Sequence, residues 1–93
     1  MHIGVLYIDV FINSSQSLKQ KRTVLTGLKT QVRSKFNVSI GELGNNDKWQ
    51  LATLGFSMIG KDNRYIDGVL QNLLSFVDKH HSVEVSNHKI EFC

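Results

Sequence analysis

Ninety-three residues suffice for one small domain, and a composition 41% apolar and 20% charged is ordinary for a globular chain with a single core. A formal charge of +3 admits an anionic partner without requiring one. The one cysteine, Cys93, excludes an internal disulfide and points to a reducing, cytoplasmic setting.

The chain opens on alternation from Ile3 to Ile12, with Leu6, Ile8, Val10 and Ile12 on one face and Val5, Tyr7, Asp9 and Phe11 on the other. Both faces are apolar enough for a central strand. The segment carries Asp9, lacks a basic leader and is too short to span a bilayer, so neither a signal peptide nor a membrane partner is expected. Asn13-Ser14-Ser15-Gln16 reads as a loop, and Ser17 is a natural N-cap for a helix from Leu18 to about Lys35. The apolar stripe of that helix is Leu18, Val24, Leu25, Leu28 and Val32.

Phe36 to Leu43 alternates again, Gly44-Asn45-Asn46-Asp47 is dense in turn formers, and a third strand runs from about Trp49 to Ile59. Two strands so close together imply an antiparallel hairpin. Asp62 or Asn63 then caps a second helix to about Lys79, with the stripe Ile66, Val69, Leu70, Leu73, Phe76 and Val77. Ser82 to Ser86 reads as a fourth strand, interrupted at Asn87-His88 and resumed over Lys89 to Phe92.

This βαββαβ order belongs to the α+β class. Two amphipathic helices bury both stripes only against one face of a four-stranded antiparallel sheet, and right-handed crossovers give a ferredoxin-like domain over residues 1–93 with strands one and three central. The opposite face stays open, presenting Val5, Tyr7 and Phe11 beside Leu51, Thr53, Gly55 and Ser57. Val5, Tyr7, Phe11 and Leu51 form an apolar patch that a monomer rarely leaves bare, which makes them candidates for a homodimer or protein interface.

Charge is unevenly distributed. Between Val10 and Gly41 there is no Asp or Glu, yet Lys19, Lys21, Arg22, Lys29, Arg33 and Lys35 fall there; the other five basic residues against eight acidic ones leave the rest of the chain at −3. Three of the six stand in the first turns of the first helix, where the helix dipole disfavours cations. At about 100° per residue, Lys29, Arg22, Arg33 and Lys19 lie roughly 40°, 60°, 80° and 120° from Leu25, a ridge along one edge of the stripe. Such a ridge suits a phosphate backbone, with Lys48 and Trp49 as further contacts. The competing reading is a solvated flank neutralised by Asp67 and Asp78 of the second helix. Lys21 falls inside the stripe, where it must snorkel or meet a carboxylate such as Asp9 or Glu42.

Ser17-Leu18-Lys19-x-Lys21-Arg22, Phe36-Asn37-Val38-Ser39 with Glu42, and Asp47-x-Trp49-Gln50 with the small residues through Gly55 together resemble the YlxP-like family of small bacterial proteins, nearly end to end. The resemblance implies a ferredoxin-like fold and a setting close to translation, since genes of the family often neighbour those for an initiation factor and a ribosome-binding factor. It therefore implies RNA or a ribosomal particle as partner. It brings no catalytic residue, and the first loop here lacks the proline often found in the family.

Other chemistries fit less well. An RNA-recognition motif stacks bases on aromatics of both central strands, and Leu51, Thr53, Gly55 and Ser57 offer none opposite Tyr7 and Phe11. Gly41-Glu42-Leu43-Gly44 looks superficially like a KH loop but carries an acid and lies at a strand end. Acylphosphatases bind phosphate after strand one with an arginine; the loop Asn13–Ser17 has hydroxyls, a helix N-terminus and nearby Lys19, but no arginine or glycine. His80 and His81, adjacent on a helix, point about 100° apart and read as dipole-compatible end residues rather than ligands. Trp49 is either a plug at the sheet corner or a partner-contacting aromatic. The expectation is a non-enzymatic binding module with no cofactor, no metal and no small-molecule substrate.

Overall fold

The computed structural model describes residues 1–93. Its elements follow the order expected: β1 (His2–Phe11), α1 (Leu18–Lys35), β2 (Ser39–Gly44), β3 (Leu51–Gly60), α2 (Asn63–Asp78) and β4 (Glu84–Phe92). The four strands form one sheet in the order β2-β3-β1-β4, every neighbouring pair antiparallel, with both helices against one face. This is the ferredoxin-like α+β fold. No helix is long and apolar enough to cross a membrane.

Local chemistry explains the boundaries. Ser17 stays extended and its hydroxyl accepts from the Gln20 N–H at 3.1 Å, while the Gln20 side chain accepts from the Gln16 N–H at 2.6 Å, so α1 starts with a reciprocal cap. Arg33 and Lys35 occupy its last turn, where the dipole favours them. Asp62 caps α2 by accepting from the Tyr65 N–H at 2.8 Å. Asn45, in the β2–β3 turn, adopts φ 62°, a left-handed conformation that asparagine tolerates better than most residues.

Between sheet and helices, Leu6, Ile8, Val10, Ala52, Leu54 and Phe56 meet Leu25, Leu28 and Val32 of α1 and Ile66, Leu70, Leu73 and Val77 of α2. Gly4 allows α2 to lie close on β1, since a Cβ there would collide with the Ile66 side chain. Phe36, just past α1, packs edge-on to Phe76 of α2 at 5.9 Å between centroids, and the Lys35 ammonium caps the same Phe76 ring at 5.3 Å. The two helices are thus clasped at this end.

Several expectations need correction. The interruption at Asn87-His88 is no break: β4 is continuous, and the irregularity is a bulge in its pairing with Asp9 and Val10. Ser86 is the extra residue, its hydroxyl donating to the Asp9 carbonyl at 3.2 Å. A second bulge, at Leu43, distorts β2 against β3. Phe36–Val38 belongs to a connection rather than to β2, and Trp49 precedes β3. Leu18, 40% exposed, drops out of the α1 stripe, whereas Lys21, 2% exposed, lies inside it as its helical angle requires.

Candidate functional site

Four cations follow one flank of α1. Lys19, Arg22 and Arg33 are exposed and make no ion pair. Lys29, nearest the stripe, is paired: its ammonium lies 3.5 Å from a carboxylate oxygen of Glu42 on edge strand β2. Asp67 and Asp78 neutralise none of them, because the chain's other ion pair joins Lys89 to Glu91 on β4. The ridge is therefore only partly matched from within, one cation in four.

Lys21 departs furthest from the sequence reading. It meets neither Asp9 nor Glu42; its ammonium donates to two backbone carbonyls of the β2–β3 turn, Asn45 at 2.6 Å and Lys48 at 2.8 Å. The reason is geometric: the turn folds back over the first turns of α1, bringing carbonyl oxygens nearer than any carboxylate. One side of α1 is thereby fastened to the sheet end. A notch of about 220 Å³ opens beside this contact, between α1 and the turn, and includes Arg22, Lys29, Glu42 and Asn46. Lys19 lies instead on a neighbouring depression with Ser14, Ser17 and Thr23.

Lys48 and Trp49 follow the same turn. Trp49 is 56% exposed, which overturns the corner-plug reading. The Lys48 side chain is exposed, while its carbonyl is one of the two that hold Lys21. In the loop after β1 the Ser15 hydroxyl is buried and donates to the Ser17 carbonyl at 3.0 Å, so it is committed inward rather than offered to an anion.

Val5, Tyr7, Phe11 and Leu51 share the open face, as their register requires, but they are not contiguous. Between them the Asp9 carboxylate accepts from the Thr53 hydroxyl at 2.7 Å, and that hydroxyl accepts from the Asn45 side-chain amide at 3.1 Å. This polar row divides the patch. Lys89 covers part of Tyr7, its ammonium 5.1 Å from the ring centroid. Apolar residues that were missed enlarge the remainder: Ile3 and Ile59 pair across β1 and β3, and Leu43 lies over Gly55. Gly55 permits that placement, since a Cβ would stand 2.6 Å from Leu43 Cδ1. Leu43 was legible only as an alternating position; nothing in its neighbours announces the bulge.

His80 and His81 also differ from expectation. They follow the end of α2, and their rings stack at 4.9 Å and 14° instead of diverging. His80 Nδ1 accepts from the Ser82 N–H at 3.2 Å and Nε2 lies 3.0 Å from Gln31 Oε1, which fixes the neutral imidazole with its proton on Nε2. Burial, and then the charge of His81, push the His80 pKa below its ordinary value, opposite to what a helix C-terminus alone would do. No three His, Cys, Asp or Glu side chains come together as metal ligands.

A family model described as "Protein of unknown function (DUF503)" matches residues 3–90 of this chain. The chain belongs to the DUF503 family. A curated relative, "Uncharacterized protein YlxP" of Bacillus subtilis (strain 168), is 37% identical over 82 residues, spanning 88% of this chain and 89% of its own. The resemblance drawn from the Ser17–Arg22 signature therefore stands. Within that signature of this DUF503 chain, Ser17 caps the helix, Lys21 clamps the turn, and Lys19 and Arg22 face solvent.

Proposed function

We propose that this domain is a non-enzymatic module that binds RNA or a ribosomal particle through the exposed flank of α1. The observation that carries this reading is that Lys19, Arg22 and Arg33 stand exposed on one helix without an internal carboxylate, although the helix dipole and mutual repulsion disfavour the first two. Regularly spaced, unmatched cations answer the spacing of charge on a phosphate backbone. Lys48 and Trp49 extend the surface from the β2–β3 turn, Trp49 with an indole free to stack on an unpaired base. The test is sedimentation with ribosomal particles. The protein should pellet with them at low salt and leave them at high salt; a protein that stays in the supernatant at low salt refutes the reading.

A second reading is favoured by the open sheet face, where Leu43 and Ile59, each more than half exposed, add to Val5, Tyr7, Phe11 and Leu51. Two copies of the domain joined through this face would bury it and leave both basic flanks outward. Tyr7→Glu should then lower the particle mass measured by sedimentation; an unchanged monomeric mass in both forms excludes the dimer.

A further inference from the structure

We propose that the notch between α1 and the β2–β3 turn is a binding site for a single phosphate group, with Lys21 at its base and Arg22 and Lys29 at its rim. The proposal deepens the polyanion reading above, on which it rests for the source of the phosphate, by placing one backbone phosphodiester at a particular point on the helix.

The argument starts from an imbalance at Lys21. Lys21 is 2% exposed, yet no carboxylate lies within 4.0 Å of its ammonium. Two of the three N–H donors are used on the Asn45 and Lys48 carbonyls, leaving the third without a protein acceptor. Neutral carbonyl dipoles satisfy geometry but do not cancel the charge. A buried cation without a counter-ion is among the costliest arrangements a core can contain, and an incoming anion relieves it.

The surroundings are suited to such an anion. The same notch of about 220 Å³ is lined by Lys21, Arg22, Thr26, Lys29 and Asn46, and is open to solvent on one side. Along this helix Thr23 and Thr30 return their hydroxyls to the carbonyls of Lys19 and Thr26, whereas the Thr26 hydroxyl makes no hydrogen bond of its own. Glu42 also lines the notch, held by Lys29 at 3.5 Å, so an arriving phosphate must share Lys29 with it. Three cations against one carboxylate leave the notch net positive.

The decisive experiment follows backbone amide and lysine ammonium NMR signals of the labelled protein with two probes. One is inorganic phosphate; the other is an oligouridylate lacking a terminal phosphate, which offers only phosphodiesters. Both should give saturable shifts at Lys21, Arg22, Thr26 and Asn46. Thr26→Glu, a solvent-exposed helix position, sets a carboxylate over the notch. It should weaken binding of both probes by about tenfold or more through like-charge repulsion, while raising the melting temperature because Lys21 gains a counter-ion. Absence of saturable shifts at these residues with both probes overturns the site, as does undiminished binding in Thr26→Glu. Oligouridylate shifts confined to Lys19, Arg33 and Trp49 would overturn the notch and leave the basic-helix reading standing. Phosphate shifts in the notch without any response to oligouridylate or ribosomal particles would support the site and remove RNA as its ligand.

Discussion

The Lys21 ammonium lies 2.6 Å from the Asn45 carbonyl oxygen, a contact that joins the second turn of α1 to a β-turn 24 residues further along the chain. Asn45 sits at φ 62° and also donates through its side chain to Thr53, which in turn donates to Asp9 on the open face. One turn thus connects the basic side of the helix to the polar row that divides the sheet face.

Removing the ammonium should loosen that connection. Lys21→Met keeps the buried stem but leaves the Asn45 and Lys48 carbonyls without their donor. A hydrogen bond from a charged donor contributes about 1.5–3 kcal/mol, and relief of the buried charge offsets part of that loss. A net destabilisation of about 1–3 kcal/mol is expected in urea unfolding. Lys21→Arg should not restore wild-type stability, because a planar fork cannot reproduce the convergence of a point charge on two carbonyls.

Glycines offer a prediction with opposite signs at two sites. A Cβ at Gly4 would meet the Ile66 and Leu70 side chains, so Gly4→Ala should overpack the β1–α2 contact and cost about 1–3 kcal/mol. Gly27 lies inside α1, where a Cβ would find nothing within 4 Å. Gly27→Ala should therefore stabilise by about 0.5–1 kcal/mol, through helix propensity and a less disordered unfolded chain. Thermal or urea denaturation of the two variants checks both signs.

What could be read beforehand follows from which atoms carry the information. The alternation of Leu6, Ile8 and Val10 and the helical stripe through Leu25, Leu28 and Val32 are side-chain patterns, and they led to the fold with helix ends accurate at Ser17 and Lys35. The partner of Lys21 was invisible because it is backbone, and a search for carboxylates could not find it. Glu42 was expected as a partner of Lys21 and is not one; it shares the helix side of β2 with Ile40 and takes Lys29, two turns beyond Lys21. The bulge at Leu43 left no mark, and the one at Ser86 showed only as an apparent interruption at Asn87-His88, since each depends on how two strands pair rather than on either alone. The ridge itself was legible in spacing, but its degree of internal neutralisation was not.

Stability should fall with acid through His80. Its pKa is lowered in the folded protein, by burial first and by His81 second, from an ordinary value of 6.5. Below pH 6.5 the unfolded chain therefore takes up the proton first, so stability declines as pH falls from there toward the folded-state pKa and is flat with respect to this group above it. Protonating Nδ1 would also break its bond from the Ser82 N–H. His80→Asn, whose amide oxygen can accept from Ser82, should show a shallower loss of melting temperature between neutral and mildly acidic buffer than the parent. Parallel pH profiles would show that His80 does not contribute.

Salt dependence distinguishes contact with a phosphate backbone from generic positive charge. Each phosphate neutralised contributes about 0.7–0.9 to the slope of log affinity against log salt concentration. If Arg22 and Arg33 each meet one phosphate, the Arg22→Ala, Arg33→Ala double variant should bind structured RNA more weakly and with a slope lower by about 1.4–1.8. Arg64 is exposed on α2, a different helix from the ridge, and serves as the control. Arg64→Ala removes the same kind of charge yet should leave the slope unchanged. Equal flattening in both variants would assign the affinity to overall charge, and no flattening in the double variant would take α1 out of the interface.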